Sequence, residues 1–145
     1  MDDPRFRLRF DMQTKDVLTS SEIAAVMAAA RTEAAHKKLA VSIAVVDDGG
    51  HPLALERTDD APPSTAYIAM EKARTAALVR RESKVFEDMI NGGRVAWLSV
   101  PLLNGILEGG VPVLVNGRVV GGVGVSGASP SEDATVAKSG ADSAL

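Results

Sequence analysis

The side chains able to do chemistry are few in this chain, and their spacing is informative. There are two histidines and no cysteine, which leaves no thiolate, disulfide or cysteine-ligated metal chemistry to consider. His36 falls near the end of a predicted helix, where a partly positive ring suits the helix dipole. His51 follows Asp47-Asp48-Gly49-Gly50, whose glycines leave space beside the ring. Neither lies in an HExxH or other chelating spacing. A haem, however, needs only one or two axial residues and an apolar wall. Asp47, Asp48, Asp59 and Asp60 gather around two loops. They suit a hard cation, a general base or ordinary turn bonding. Arg74 has the planar fork that grips a carboxylate, or it pairs with Glu71 one turn earlier.

Two apparent motifs fail on context. Gly122, Gly124 and Gly127 match G-x-G-x-x-G, but the first two lie inside a predicted strand. The chain ends at Leu145, too soon for the second parallel strand of a dinucleotide site. Those glycines instead clear space for a helix, a subunit or a ligand. Ser126 does not sit in a nucleophile elbow, because the G-x-S-x-G frame is one residue short.

The elements that must position these groups follow from capping and periodicity. Thr19-Ser20-Ser21-Glu22 is a capping box, and Ile23, Val26, Met27, Ala30 and Ala34 form one apolar stripe through about Lys38. A buried strand over 39–46, the Asp-Asp-Gly-Gly turn and a return strand over 51–57 make a hairpin. Pro62-Pro63 ends a loop, and helices follow over Ser64–Arg80 and Ser83–Asn91, the second stopping at Gly92-Gly93. Val95–Val100 is a strand candidate ended by Pro101. Asn116-Gly117 joins two valine-rich arms, Val111–Val115 and Arg118–Ser126, as a type I′ hairpin. Ser129-Pro130-Ser131-Glu132 opens the last helix. Residues 5–10 alternate Arg-Phe-Arg-Leu-Arg-Phe and read as a short edge strand or ordered tail, or as a basic arm for an acidic partner. On the helix over 64–80, Ala66, Ala69, Ala73 and Ala77 share a face with Met70. Arg74 and Tyr67 flank one side and Lys72 the other. Helix, hairpin, two helices, hairpin, helix is the order of an α+β protein with antiparallel pairing.

Composition bounds the function. The chain has 145 residues, 16 Lys+Arg against 19 Asp+Glu, and a net charge of −3. That balance argues against a nucleic-acid partner. No run approaches the roughly 18 apolar residues of a membrane span, and no signal peptide is evident, so a cytoplasmic domain is expected. Twenty-two alanines and 13 glycines make the apolar fraction one of small side chains. Placed at close approaches, they suggest self-association to extend a modest core.

Four ordered segments carry a family resemblance: VSIAVVDDGGHPLAL (41–55), APPSTAYIAMEKARTAAL (61–78), LEGGVPVLVNGRVVGGVGVSG (107–127) and EDATVAK (132–138). With RRESKVFEDMINGGR (80–94), they resemble the GlcG/HbpS family, related to the C-terminal domain of PduO-type proteins. The likeness covers about residues 17–140. It leaves 1–16 as an N-terminal extension and 17–145 as a single domain. It implies a profilin-like antiparallel sheet of about five strands with helices on its faces, a homo-oligomer, and haem in some members. The family's shared positions map onto Asp47, Gly50, His51, Arg57, Asp59, Lys72, Arg74, Thr75, Gly110, Pro112, Gly121 and Gly127. The resemblance makes His51 the first candidate haem or metal ligand and His36 the second, with Arg74, Thr75, Gly110 and Pro112 as cofactor contacts. The expected function is binding of haem or another small ligand by a homo-oligomer. The alternatives are an enzyme of small-acid catabolism, with Arg57 or Arg74 anchoring a carboxylate and Asp47 or His51 as base, and an accessory subunit of an oxidoreductase.

Overall fold

A computed structural model describes residues 12–144. Helix α1 (Ser20–His36) leads into strands β1 (Ser42–Asp47) and β2 (Pro52–Arg57), then helices α2 (Ser64–Val79) and α3 (Lys84–Asn91). A 3-10 helix over Val95–Ser99 precedes β3 (Gly110–Val115), β4 (Arg118–Ser126) and α4 (Pro130–Asp142). The four strands form one antiparallel sheet in the order β2-β1-β4-β3. Both hairpins and the α+β class are as the sequence predicts. A fifth strand is not found among the described residues. The alternating segment 5–10 lies outside them, and the Val95–Val100 candidate is a correction, being the 3-10 helix. Its Trp97 packs edge-on against Phe86, with ring centroids 4.6 Å apart, under the Arg94 guanidinium. Without a neighbouring strand this short apolar run meets its backbone bonds locally, Val100 N–H donating to the Trp97 carbonyl.

Alternation in β1 and β4 divides the interior into two. Ile43, Val45, Val123 and Val125 point toward α1 and α4, meeting Val26, Ala30, Val136 and Ala137 in a core made chiefly of valine and alanine. Ala44 and Val46 point the other way, onto Ala69, Ala73 and Ala77 of α2. Beside them α2 lies directly on β4, because a Cβ at Gly124 would stand 1.9 Å from the Ala69 carbonyl oxygen. A Cβ at Gly110 would stand 2.2 Å from the Lys72 carbonyl oxygen. The small residues therefore serve a close approach inside the chain, helix on sheet, and in these positions they are not evidence of a subunit contact.

The local signals hold in detail. Glu22 accepts from the Thr19 N–H at 2.7 Å, and Ser129 opens α4 with proline at its first turn. Asn116 and Gly117 have φ of 51° and 74°, the paired positive angles of a type I′ turn. No helix among the described residues is long and apolar enough to cross a membrane.

Candidate functional site

The site is built on the β1–β2 turn. The Asp47 carboxylate accepts from the Gly49 and His51 N–H groups, both at 2.9 Å, closing the turn on its own side chain. The same carboxylate meets His51 Nδ1 at 3.0 and 3.1 Å. Partial burial opposes the charge on Asp47, but these N–H groups and the His51 ring outweigh it and hold the carboxyl below its usual range. When the imidazole is neutral, an ionised Asp47 favours the tautomer with its proton on Nδ1, which leaves Nε2 as a lone-pair donor. The imidazole is 78% exposed, so that donor is accessible.

Helix α2 runs antiparallel to β2 and supplies the second wall. Its far end meets the turn through Arg74, whose Cγ stands 2.8 Å from where a Cβ on Gly50 would sit. At φ +79° that position already favours glycine. Arg74 donates to the Gly50 carbonyl at 3.4 Å and to Glu71 at 2.9 Å. Its charge is thus used to brace the turn against the helix. From there a groove of about 350 Å³ runs back between α2 and β2. Leu55, Tyr67 and Met70 give it an apolar surface, with Glu71 and Arg57 among its polar lining. Tyr67 is 79% exposed and Leu53 and Leu55 are partly so, which leaves this apolar surface open to solvent, and His51 is not among the residues lining the groove. The opposite face of β2 is tied down by Arg31 of α1, which holds Glu56 through two bonds of 2.7 and 2.6 Å.

Asp47, His51 and Arg74 are thus brought together at the turn, and Arg57 stands at the other end of β2 on the same groove. The remaining predicted contacts lie elsewhere. His36 precedes β1 while His51 follows it, so the two histidines are at opposite ends of a strand spanning roughly 17 Å. Gly110 and Pro112 are on β3, the edge strand farthest from β2. Thr75 is fully buried within the packing of α2. Gly110 receives α2 and bonds Ser83, its N–H donating to the Ser83 hydroxyl at 2.9 Å. Asp48 pairs with Lys15, while Asp59 and Asp60 are exposed turn residues, and the described residues contain no cluster of three metal-binding side chains.

Sequence reasoning missed the pairing of Lys72. It lies on the flank of α2 opposite Arg74, as expected, yet it is buried against Asp133 of α4, with side-chain exposures of 5% and 4%. Lys72 Nζ donates to Asp133 at 3.1 Å and to the Val125 carbonyl at 2.9 Å. Burial pushes the Asp133 carboxyl up while Lys72 and the Ala128 N–H pull against it. This pair fastens α2, the end of β4 and α4 to one another.

Comparison with known proteins now bears on this geometry. Residues 18–142 match a family described as haem-degrading-protein HbpS-like. Protein GlcG of Escherichia coli K12 is 56% identical over 115 residues, covering 79% of this chain and 85% of that protein. Among solved structures, a double mutant of Streptomyces reticuli HbpS superposes with a TM-score of 0.82 at 29% identity, over 91% of this chain and 90% of that one. A PduOC–haem complex superposes with a TM-score of 0.79 at 25% identity, over 90% and 96% of the two chains.

Proposed function

This chain belongs to the HbpS-like family, and from that premise we propose that it binds haem, with His51 Nε2 as an axial ligand and the β2–α2 groove as the apolar wall. The observation that carries this reading is the Asp47–His51 pair. An accessible imidazole whose other nitrogen is held by a carboxylate is the arrangement that orients a histidine toward a metal and raises its basicity. The groove fits the rest of the group: its lining is mainly apolar, and Arg57 offers a cation for an acidic substituent. The comparisons support the same ligand, the matched family being described as haem-degrading and one structural neighbour having been solved as a haem complex.

When bound, haem supplies an iron centre for ligand or redox chemistry. The chain's own part is to hold and orient it. Asp47 fixes the His51 tautomer, Arg74 locks the turn onto α2, and Leu55, Tyr67 and Met70 exclude water from one side. An open groove covers one side only, so we include self-association in the proposal, with a second copy over the exposed Leu53, Leu55 and Tyr67. Saturable one-to-one development of a Soret band on adding haemin, with sedimentation showing a dimer or larger, is the expected result. A spectrum of aggregated haemin alone refutes the reading.

Arg57 also favours a second reading. It is exposed and has no carboxylate partner among the described residues, so it could anchor a small organic acid. Arg74 is less suited, being engaged by Glu71. A turnover screen over small carboxylic acids tests this reading, and activity unchanged by Arg57→Ala removes it.

A further inference from the structure

A second cavity shares no lining residue with the groove. It measures about 420 Å³ and opens where the two hairpin turns meet the segment entering α1. Three cations from three elements line it: Lys15 from that segment, Arg80 from just beyond α2, and Arg118 from the start of β4. Asp16 and Asp48 also line it, giving a formal lining charge of +1.

The bonding leaves the two arginines under-compensated. Asp48 accepts from Lys15 at 2.8 Å and lies 3.9 Å from Arg80. Arg80 Nη1 donates to the carbonyls of Asp48 and Ala77 at 2.8 and 2.9 Å, and Arg118 Nη1 to the carbonyl of Thr14 at 3.2 Å. Arg118 has no carboxylate within ion-pair distance among the described residues. The backbone of Arg80 adds a second observation. Its φ is +61°, at the position after a helix where glycine is usual. That conformation sets the guanidinium over the β1–β2 turn, where it donates to the Asp48 carbonyl.

We propose that this cleft binds a small oxyanion, carboxylate or phosphate, across the guanidinium groups of Arg80 and Arg118. A planar fork donating to neutral carbonyls on one side retains N–H groups for a bidentate oxyanion on the other. Asp48 competes with such a ligand for Arg80 and Lys15.

The test titrates the full chain with malonate, with inorganic phosphate and with chloride at matched ionic strength. Amide shifts of Gly117 and Arg118 and the thermal midpoint report binding. Saturable shifts with malonate or phosphate are expected, at least fivefold weaker in Arg118→Gln and several-fold tighter in Asp48→Asn, where one negative charge is removed. Tighter malonate marks an organic acid as the natural ligand class, and tighter phosphate marks a phosphorylated one. Equal response to chloride, or an Arg118→Gln variant that binds as the wild type does, overturns the proposal. Haem binding is read at a different wavelength in a different cavity, so the two readings fail separately.

Discussion

Replacing Gly124 by alanine should displace α2 from the sheet. The added Cβ would lie 1.9 Å from the Ala69 carbonyl oxygen and 2.5 Å from the Ala73 nitrogen. Restoring ordinary contact near 3.4 Å requires a retreat of about 1.5 Å on one axis. Both opposing atoms are backbone, so no side-chain rotamer can relieve the clash. Overpacking where side chains can rearrange costs about 1–3 kcal/mol. With a whole helix to move off Ala44 and Val46, a loss of about 3 kcal/mol or more is expected, or roughly 6–12 °C in the thermal midpoint. Gly117→Ala is the control. At φ +74° with nothing within 4 Å, it should cost only about 1 kcal/mol. Urea unfolding followed by far-ultraviolet circular dichroism measures both. The moved helix would also carry Arg74 away from the β1–β2 turn, so haem affinity should fall in Gly124→Ala and not in Gly117→Ala. A Gly124→Ala loss below about 1 kcal/mol, or one equal to the control's, would refute the helix-on-glycine account.

Three other predictions follow from the same contacts. Lys72→Met strands the Asp133 carboxylate in the interior and should cost about 3–5 kcal/mol by urea unfolding; Lys72→Met with Asp133→Leu should recover much of it. Asp47→Asn tests the depressed carboxyl. A folded-state pKa below the unfolded value, about 3.9, stabilises the fold above that pH and is lost as pH falls through the folded value. The wild type's advantage over Asp47→Asn should therefore be largest near neutrality and shrink in acid, as urea midpoints at several pH values would show; a constant difference contradicts the assignment. The same variant should weaken haem binding about 10- to 100-fold, because His51 loses the carboxylate that orients it.

Much of the fold is legible in local chemistry. The capping residues of α1 and α4, the Asn116-Gly117 turn and the Asp-Asp-Gly-Gly hairpin each act within a few residues, and each appears at its predicted place. The small face of α2 and the glycines of β4 were both visible, but not that one is the seat of the other. That contact joins residues far apart in the chain, and their periodicity names no partner. Val95–Val100 misread as a strand because a short run with five apolar residues suits either geometry until a neighbouring strand is known. At the site, His51 and Asp47 were legible because one turn holds both. Arg74 was legible as a flank of α2, though its use against Gly50 was not. Lys72 was misjudged in importance because Asp133, which makes its burial tolerable, lies 61 residues away. The Leu55–Tyr67–Met70 groove had a faint signal in the alternation of β2 and the lone tyrosine beside Arg74.

The central claim rests on one nitrogen, and spectrophotometric haem titration of the wild type, His51→Ala and His36→Ala tests it most directly. His51→Ala should lose the wild-type Soret position and bind at least tenfold more weakly, while His36→Ala, altered at the far end of β1, should match the wild type. If His51→Ala keeps the wild-type spectrum and affinity, His51 is not the axial ligand and the β2–α2 groove is not the haem site.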